Sequence, residues 1–398
     1  MLSHNNIGSN VSAASDALPI ELGNRTLSFL PLCHIFERTV FYSYLYKCVS
    51  LYYAESIETI GDDIRDVKPH YFTSVPRLLE KVYDKIVAKG NDLEGFKKKL
   101  FFWALELGDQ YDLRGKGPVY KVKLAIARKL IFSKWKDALG GEILGIITGA
   151  AALQSRLERV FNAAGIRVRQ GYGMTESSPV ITINRFDDND AYLATVGKPV
   201  KGVQVKIDEV TGEICAKGPN VMMGYLNRPD ATAETIDADG WLRTGDKGEW
   251  VDGKYLRITD RIKSLFKTSG GKYVAPQVIE NKYKESPLIE QIMVVGNDRK
   301  FVGALIVPSL NLLDHCKENG IEANTLAEAV KNDKVIAHYE SICSHFNENF
   351  SKIEKIKRFR LMPNDWTIDG GEMTPTMKLK RKKIEAKYMD YIEDIYNV

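Results

Sequence analysis

The sequence predicts an α/β protein: a large domain with a mostly parallel sheet plus an antiparallel β subdomain, followed by a small, mobile α+β C-terminal domain. Three observations predict it. Over residues 1–193, short apolar runs alternate with helical patterns, which is how βαβ units read. Over 194–260, alternating runs meet at turn dipeptides, the mark of antiparallel hairpins. After Asp260 the pattern changes to helix, hairpin and further helices. The expected boundaries are therefore 1–260 for the large domain, split into 1–193 and 194–260, and 261–398 for the small one, with a hinge near 261–263.

In order along the chain, Thr26–Leu30 (TLSFL) reads as a strand, followed by a PLCH turn and a helix from about Phe36. His70–Val75 is a second strand, and Pro76 opens a helix through Ile86, since proline suits the first helical position. Residues 89–138, rich in lysine and helix formers, read as helices on the outside of the sheet. Ile143–Ile147 and Ile166–Gln170 are two more strands, followed by the turns TGAA and GYGMTES. Hairpins are expected to turn at Thr211-Gly212 and Asp252-Gly253. A helix over about Gln277–Lys284, a hairpin from Ile289 to Val307, helices to Phe350 and a lysine-rich helix from about Lys380 complete the chain.

The 398 residues suffice for two or three domains. With 44% apolar and 27% charged residues, the chain has the balance of an ordinary globular protein rather than a disordered one. The net charge of +4 is too mild to imply nucleic-acid binding. No run approaches the roughly 18 apolar residues of a membrane span, and the start MLSHNNIGSN does not read as a signal peptide. Five scattered cysteines form no CxxC pair, so the expectation is a reducing cytoplasm, with membrane association left open.

Several sites are excluded. TSGGKY has a tyrosine where a phosphate loop needs Ser or Thr, there is no G-x-S-x-G, and Gly171-Tyr172-Gly173 leads to Glu176 where a dinucleotide fingerprint needs glycine. What remains is polar turns at the carboxyl ends of strands, where open parallel sheets bind ligands. GYGMTES offers a ring that can stack on a base (Tyr172), a hydroxyl (Thr175) and a carboxylate (Glu176). One carboxylate together with phosphate oxygens is a common way to hold Mg²⁺. Asp246, in GWLRTGD, could accept hydrogen bonds from ribose hydroxyls. Lys378, in EMTPTMKLKRKK, could neutralise phosphate charge in a transition state. Taken singly, these residues also fit a capped glycine-rich loop, a turn aspartate and a solvated basic face.

Their order is more specific. PLCHIFERT, TGAA, GYGMTESSP, GEICAKGPNVMMGYLNRPDAT, GWLRTGD, DRIKSLFKTSGGKYVAPQVIE and TPTMKLKR, in that sequence, closely resemble the adenylate-forming enzymes, and within them the AMP-forming long-chain fatty-acid–CoA ligases (acyl-CoA synthetases). FTSVPRLLEKVYDKI and the helical insert after it are similar to that branch. The resemblance implies ATP-dependent ligation of a fatty acid to coenzyme A through an acyl-adenylate, with Mg²⁺. It implies that Tyr172 stacks on adenine, that Gly149, Ala150 and Gly173 line the nucleotide site, and that Thr175 contacts the α-phosphate. Glu176 would hold Mg²⁺, Asp246 and Arg261 the ribose, and His34, Gly149 and Gly171 the acyl pocket. Lys263 would be the hinge, Lys378 the catalytic lysine of the first half-reaction, and Gly270-Gly271 part of the coenzyme A tunnel.

One departure stands out. The family has a Ser/Thr/Gly-rich phosphate loop that runs into a segment like MLSH, and this chain begins with Met1-Leu2-Ser3-His4. The expectation is an incomplete enzyme that lacks the loop and the domain half before it, and so exposes apolar surface at the sheet, pairs as a homodimer or needs an upstream segment. Expected partners are fatty acid, ATP and coenzyme A, not nucleic acid, with peripheral membrane contact left open. The alternatives are an aryl- or short-chain acyl-CoA ligase, a fatty acyl-AMP ligase, or a non-catalytic fragment that acts as a binding module.

Overall fold

The computed structural model describes residues 1–398 except Ile57, Lys263, Ser264, Thr376 and Val398. The expected hinge residue, Lys263, thus lies outside the described residues. The chain forms two compact units, Met1–Ile258 and Thr259–Val398.

Among the described residues, the first unit holds a seven-stranded sheet built from β1 (Arg25–Ser28), β2 (Ser50–Tyr53), β3 (Tyr71–Ser74), β4 (Gly145–Thr148), β5 (Arg167–Gly173), β6 (Val180–Ile183) and β7 (Lys198–Pro199). The spatial order is β2-β1-β3-β4-β5-β6-β7. The first five are parallel, and β6 and β7 pair antiparallel. Consecutive residues go to opposite faces, as the two-residue period requires. Phe72 and Ile146 join one apolar cluster, while Tyr71 and Ile147 join another. This sheet is therefore covered on both sides, as parallel sheets are. Its β2 edge carries exposed Tyr52 and Tyr53.

The expected strands at 26–30, 70–75, 143–147 and 166–170 correspond to β1, β3, β4 and β5. The strand assigned to 166–170 is longer, so Gly171–Gly173 is strand and the turn starts at Met174. β2, β6, β7 and the helix His4–Ala17 were not foreseen. That helix opens on a capping box between Ser3 and Asn6, a weaker signature than the usual one with Glu or Gln. The helix expected after Pro76 runs Pro76–Asn91. Outside the sheet, the lysine-rich segment forms helices Gly95–Asp109, Pro118–Ala127 and Ser133–Ala138, the last two joined by a π-helical stretch, Arg128–Phe132.

A second sheet has the order β11-β10-β9-β8, from β8 (Gln204–Ile207), β9 (Glu213–Lys217), β10 (Leu242–Val251) and β11 (Tyr255–Arg261), which ends three residues past Ile258. Both expected hairpins are present. Asp252 and Gly253 have φ of 54° and 68°, the two left-handed residues that a type I′ turn needs.

The second unit contains a short hairpin of β12 (Phe266–Lys267) and β13 (Tyr273–Val274), and a sheet β14-β15-β16. β14 (Ile289–Val295) and β15 (Val302–Pro308) form the expected hairpin, and β16 (Ile356–Leu361) adds parallel to β15. Ile292, Val294, Ala304 and Ile306 face one cluster; Met293, Val295, Leu305 and Val307 face the other. Among the described residues no helix is long and apolar enough to cross a membrane.

Candidate active site

The site of the first unit is assembled at the carboxyl end of β5. There the chain turns sharply from Met174 and returns as β6. The turn lies directly over the strand: a Cβ at Gly173 would sit 1.7 Å from the Pro179 carbonyl oxygen. Glycine is required here for close approach. The Ser177 hydroxyl closes the turn, accepting from Met174 N at 3.1 Å and donating to Met174 O at 3.0 Å.

Two distant segments brace this turn. Asn220 Nδ2 donates to Ser177 O at 2.9 Å, and Asn10 Nδ2 donates to Val180 O at 2.7 Å. Val180 N returns a bond to Asn10 Oδ1 at 3.0 Å. Asn6 Nδ2 donates to the carbonyls of Pro219 and Val221, tying the N-terminal helix to the same loop.

Tyr172 is buried, and its hydroxyl donates to Asp246 Oδ2 at 2.7 Å. The register of β9 and β10 shifts between Arg243 and Lys247. Bulges of this kind re-aim side chains. Gly245 N donates to Glu213 Oε1 at 2.8 Å, and the Thr244 hydroxyl donates to Ile214 O at 2.7 Å, which fixes the backbone beside Asp246. Thr175 is exposed and Glu176 half-buried. Glu176 Oε1 accepts from the Tyr225 hydroxyl at 2.8 Å, and Glu176 O accepts from Met222 N at 2.8 Å. Burial and the Glu176 carboxylate push the Tyr225 phenol up, so it stays a donor.

Gly149 and Gly171 approach one another. A Cβ on Gly149 would lie 3.2 Å from the Phe36 ring and 3.4 Å from Gly171 O. Ala150, next in the turn, has φ of 68°. His34, two residues before Phe36, is the N-cap of helix Ile35–Tyr46, with its Nδ1 accepting from Phe36 N at 3.2 Å. The structure thus brings together Tyr172 with Asp246, Thr175 with Glu176, and Gly149 with Gly171 near the helix that His34 caps. Tyr225, Asn220 and Asn10 were not among the expected residues. The only signal for Tyr225 was its place within the MMGYLNRPDAT run.

In the second unit, Arg261 is exposed at the end of β11. Gly270 and Gly271 form the tip between β12 and β13, where Gly271 has φ of 78° and its N–H donates to Thr268 O at 2.8 Å. Lys378 is half-buried in a loop that starts and ends at a bridge between Met373 and Leu379. Its N–H donates to Thr374 Oγ1 at 3.0 Å, and its carbonyl accepts from Thr374 N at 2.8 Å. The carboxylate of buried Glu372 accepts from Lys387 and from Tyr388 Oη, and Glu372 O accepts from Lys380 N, which anchors the base of the loop.

A family model described as AMP-binding enzyme matches residues 1–226, and one for the AMP-binding enzyme C-terminal domain matches 264–398. The chain belongs to the AMP-binding enzyme family. This AMP-binding enzyme is 35% identical over 381 residues to the long-chain-fatty-acid–CoA ligase FadD15 of Mycobacterium bovis, covering 94% of this chain and 62% of that protein. It is 32% identical over 428 residues to long-chain-fatty-acid–CoA ligase 1 of Homo sapiens, covering 100% of this chain and 58% of the relative. The chain thus spans about three fifths of the length of these two relatives. Among solved structures, the adenylation domain of a carboxylate reductase from Mycobacterium chelonae matches with a TM-score of 0.76 at 22% identity, over 98% of this chain and 56% of that one. That likeness supports the α/β fold with its smaller C-terminal unit.

Proposed function

We propose that this AMP-binding enzyme joins a long-chain fatty acid to coenzyme A through an acyl-adenylate. In the first half-reaction a carboxylate oxygen of the fatty acid bonds to the α-phosphorus of ATP, and the bond to pyrophosphate breaks. In the second, the thiol sulfur of coenzyme A bonds to the acyl carbon and AMP leaves. The observation that carries this reading is the pairing of the Tyr172 hydroxyl with the Asp246 carboxylate at 2.7 Å. It sets an aromatic ring for a base beside an acceptor for ribose hydroxyls, and the identity to fatty-acid–CoA ligases supplies the reaction class.

In this reading Tyr172 packs on adenine and Asp246 with Arg261 receives the ribose. Gly149, Ala150 and Gly173 let the backbone come close to the nucleotide, and the exposed Thr175 hydroxyl meets the α-phosphate. The acyl group enters beside Gly149 and Gly171, near the helix capped by His34. Glu176 fits Mg²⁺ in kind: it is a half-buried oxygen donor beside a hydroxyl, on the same turn. Among the described residues no group of three or more His, Cys, Asp or Glu could hold a metal, so the ion would be shared with substrate phosphates. When bound, Mg²⁺ would neutralise phosphate charge.

Lys378 donates to the oxygens that gain negative charge as the acyl-phosphate bond forms. The second half-reaction needs a thiol path instead, which the Gly270-Gly271 loop supplies after the small domain, 261–398, turns about Lys263. The scattered spacing of the five cysteines, with no CxxC pair, fits a reducing cytoplasm.

The test is to mix the purified chain with ATP, Mg²⁺, coenzyme A and fatty acids of several lengths, following pyrophosphate and acyl-CoA together. Both products support the ligase. Pyrophosphate without acyl-CoA assigns a fatty acyl-AMP ligase instead. Neither product, while AMP still binds, assigns a binding module.

A further inference from the structure

The outward face of the helical run 118–138 plays no part in the site above. Val119, Val122, Ile126 and Leu130 are 67%, 61%, 45% and 46% exposed. At about 100° per residue these four fall in a stripe roughly 80° wide. The π-helical stretch Arg128–Phe132 slows the rotation, which keeps Leu130 over Ile126. The opposite face, with Leu124, Ala127, Ile131, Phe132 and Trp135, is buried in the core of the first unit. The helix therefore has an apolar stripe on each side, and among the described residues only one of them is covered.

Charge says what covers the other. Residues 118–138 contain six basic side chains and one acidic one, whereas the whole chain carries only +4. Arg128 Nε is taken up by Ala163 O, to which it donates at 2.7 Å. Lys121, Lys123, Lys129 and Lys134 are exposed. Lys123 lies along one edge of the stripe and Lys129 along the other. The preceding helix, Gly95–Asp109, repeats the chemistry at its first turn, where Phe96 is 76% exposed and followed by exposed Lys97, Lys98 and Lys99. The Tyr120 hydroxyl donates to Leu107 O at 2.7 Å and docks the two helices together.

A second copy of this face would set lysine against lysine. A nucleic acid would meet the lysines but find an apolar centre between them. A bilayer surface suits both features: aliphatic side chains enter the acyl boundary while lysine stems lie along it and their ammonium groups reach the headgroups. We propose that the stripe Val119–Val122–Ile126–Leu130, with its flanking lysines, docks on an anionic phospholipid bilayer. Such docking would hold the chain at the surface in which long-chain fatty acids partition.

The experiment is co-sedimentation of the full chain with phosphatidylcholine vesicles containing about 30% phosphatidylglycerol, and with pure phosphatidylcholine. The expected result is binding to the anionic vesicles that fades as salt shortens the screening length. Val122→Ser with Ile126→Ser, and separately Lys123→Gln with Lys129→Gln, should each weaken it about tenfold. Both variants should keep the parent melting temperature, because these side chains face solvent. The proposal is overturned if the parent chain does not sediment with anionic vesicles, or if the variants sediment as well as the parent. It is also overturned if the serine variant dissociates a dimer in sedimentation velocity, since the stripe would then be a contact between copies. No substrate is present, so the result is separate from that of the ligase assay.

Discussion

In the first unit, Tyr172 and Glu176 are tied through their side chains to residues 74 and 49 positions away, whereas in the second unit the backbone of Lys378 is tied to Thr374, four positions back. The first arrangement freezes side chains against one another, as a preorganised binding site requires. The second closes a loop on itself, which suits the proposal that the group is delivered by domain movement. The difference teaches that the two sets of residues proposed above are held by different means: long-range side-chain hydrogen bonds fix Tyr172 and Glu176, and a self-contained loop holds Lys378.

The comparison can be broken most severely at Gly173. Gly173→Ala places a methyl group into the Pro179 carbonyl, so the turn must move; the expected cost is about 3 kcal/mol, read as a lowered urea midpoint. An effect under 0.5 kcal/mol would show that the turn is not fixed.

A similar magnitude is expected at Glu158, which supports β5 from below. Burial raises its carboxyl from 4.5 to about 7, against partial relief from the Ala194 N–H, Arg169 and Gln170. A raised folded-state value means that this group's contribution is complete below pH 4.5 and lost as the pH rises through 7. Glu158→Gln should therefore flatten the stability profile between those limits, by about 3 kcal/mol at the alkaline end. An unchanged profile would contradict the assignment.

Glu372→Ala sharpens the other side. Burial alone would raise the Glu372 carboxyl, but its bonds to Lys387, Thr367 N and Tyr388 hold it below the ordinary range. Its removal should cost about 2 kcal/mol and slow adenylation while leaving AMP affinity intact, measured by calorimetry. Equal loss of both would merge the two arrangements into one. The smallest effect is expected for Tyr172→Phe, which keeps the ring and removes one hydrogen bond; AMP affinity should fall by about 1 kcal/mol, to be read by the same titration.

Legibility in the sequence follows the same division. β3 and β4 are buried on both faces and carry Tyr71-Phe72 and Ile146-Ile147, so their composition announces them. β2 is a four-residue edge strand, mostly exposed, and carries no such signal. β6 was not foreseen, because Ser177 and Pro179 suggest a loop and only pairing with β5 makes Val180–Ile183 a strand. The sequence singled out Tyr172, Glu176 and Asp246 as polar residues in turns after strands; the structure puts Tyr172 within β5 and Asp246 within β10, so it is the pairing of two strands that brings these side chains together. Tyr225 and Asn10 were not, since their partners lie 49 and 170 residues away and no local pattern encodes such a bond.

The central claim is the separation of a fixed nucleotide site from a delivered lysine. It is tested most directly by Lys378→Ala, with AMP affinity, pyrophosphate release and thioester formation from supplied acyl-adenylate all measured on the same preparation. The account predicts a loss of about 10²–10³ in adenylation, with AMP affinity and thioester formation close to those of the parent chain. Equal loss in both half-reactions, or a matching loss of AMP affinity, would contradict it.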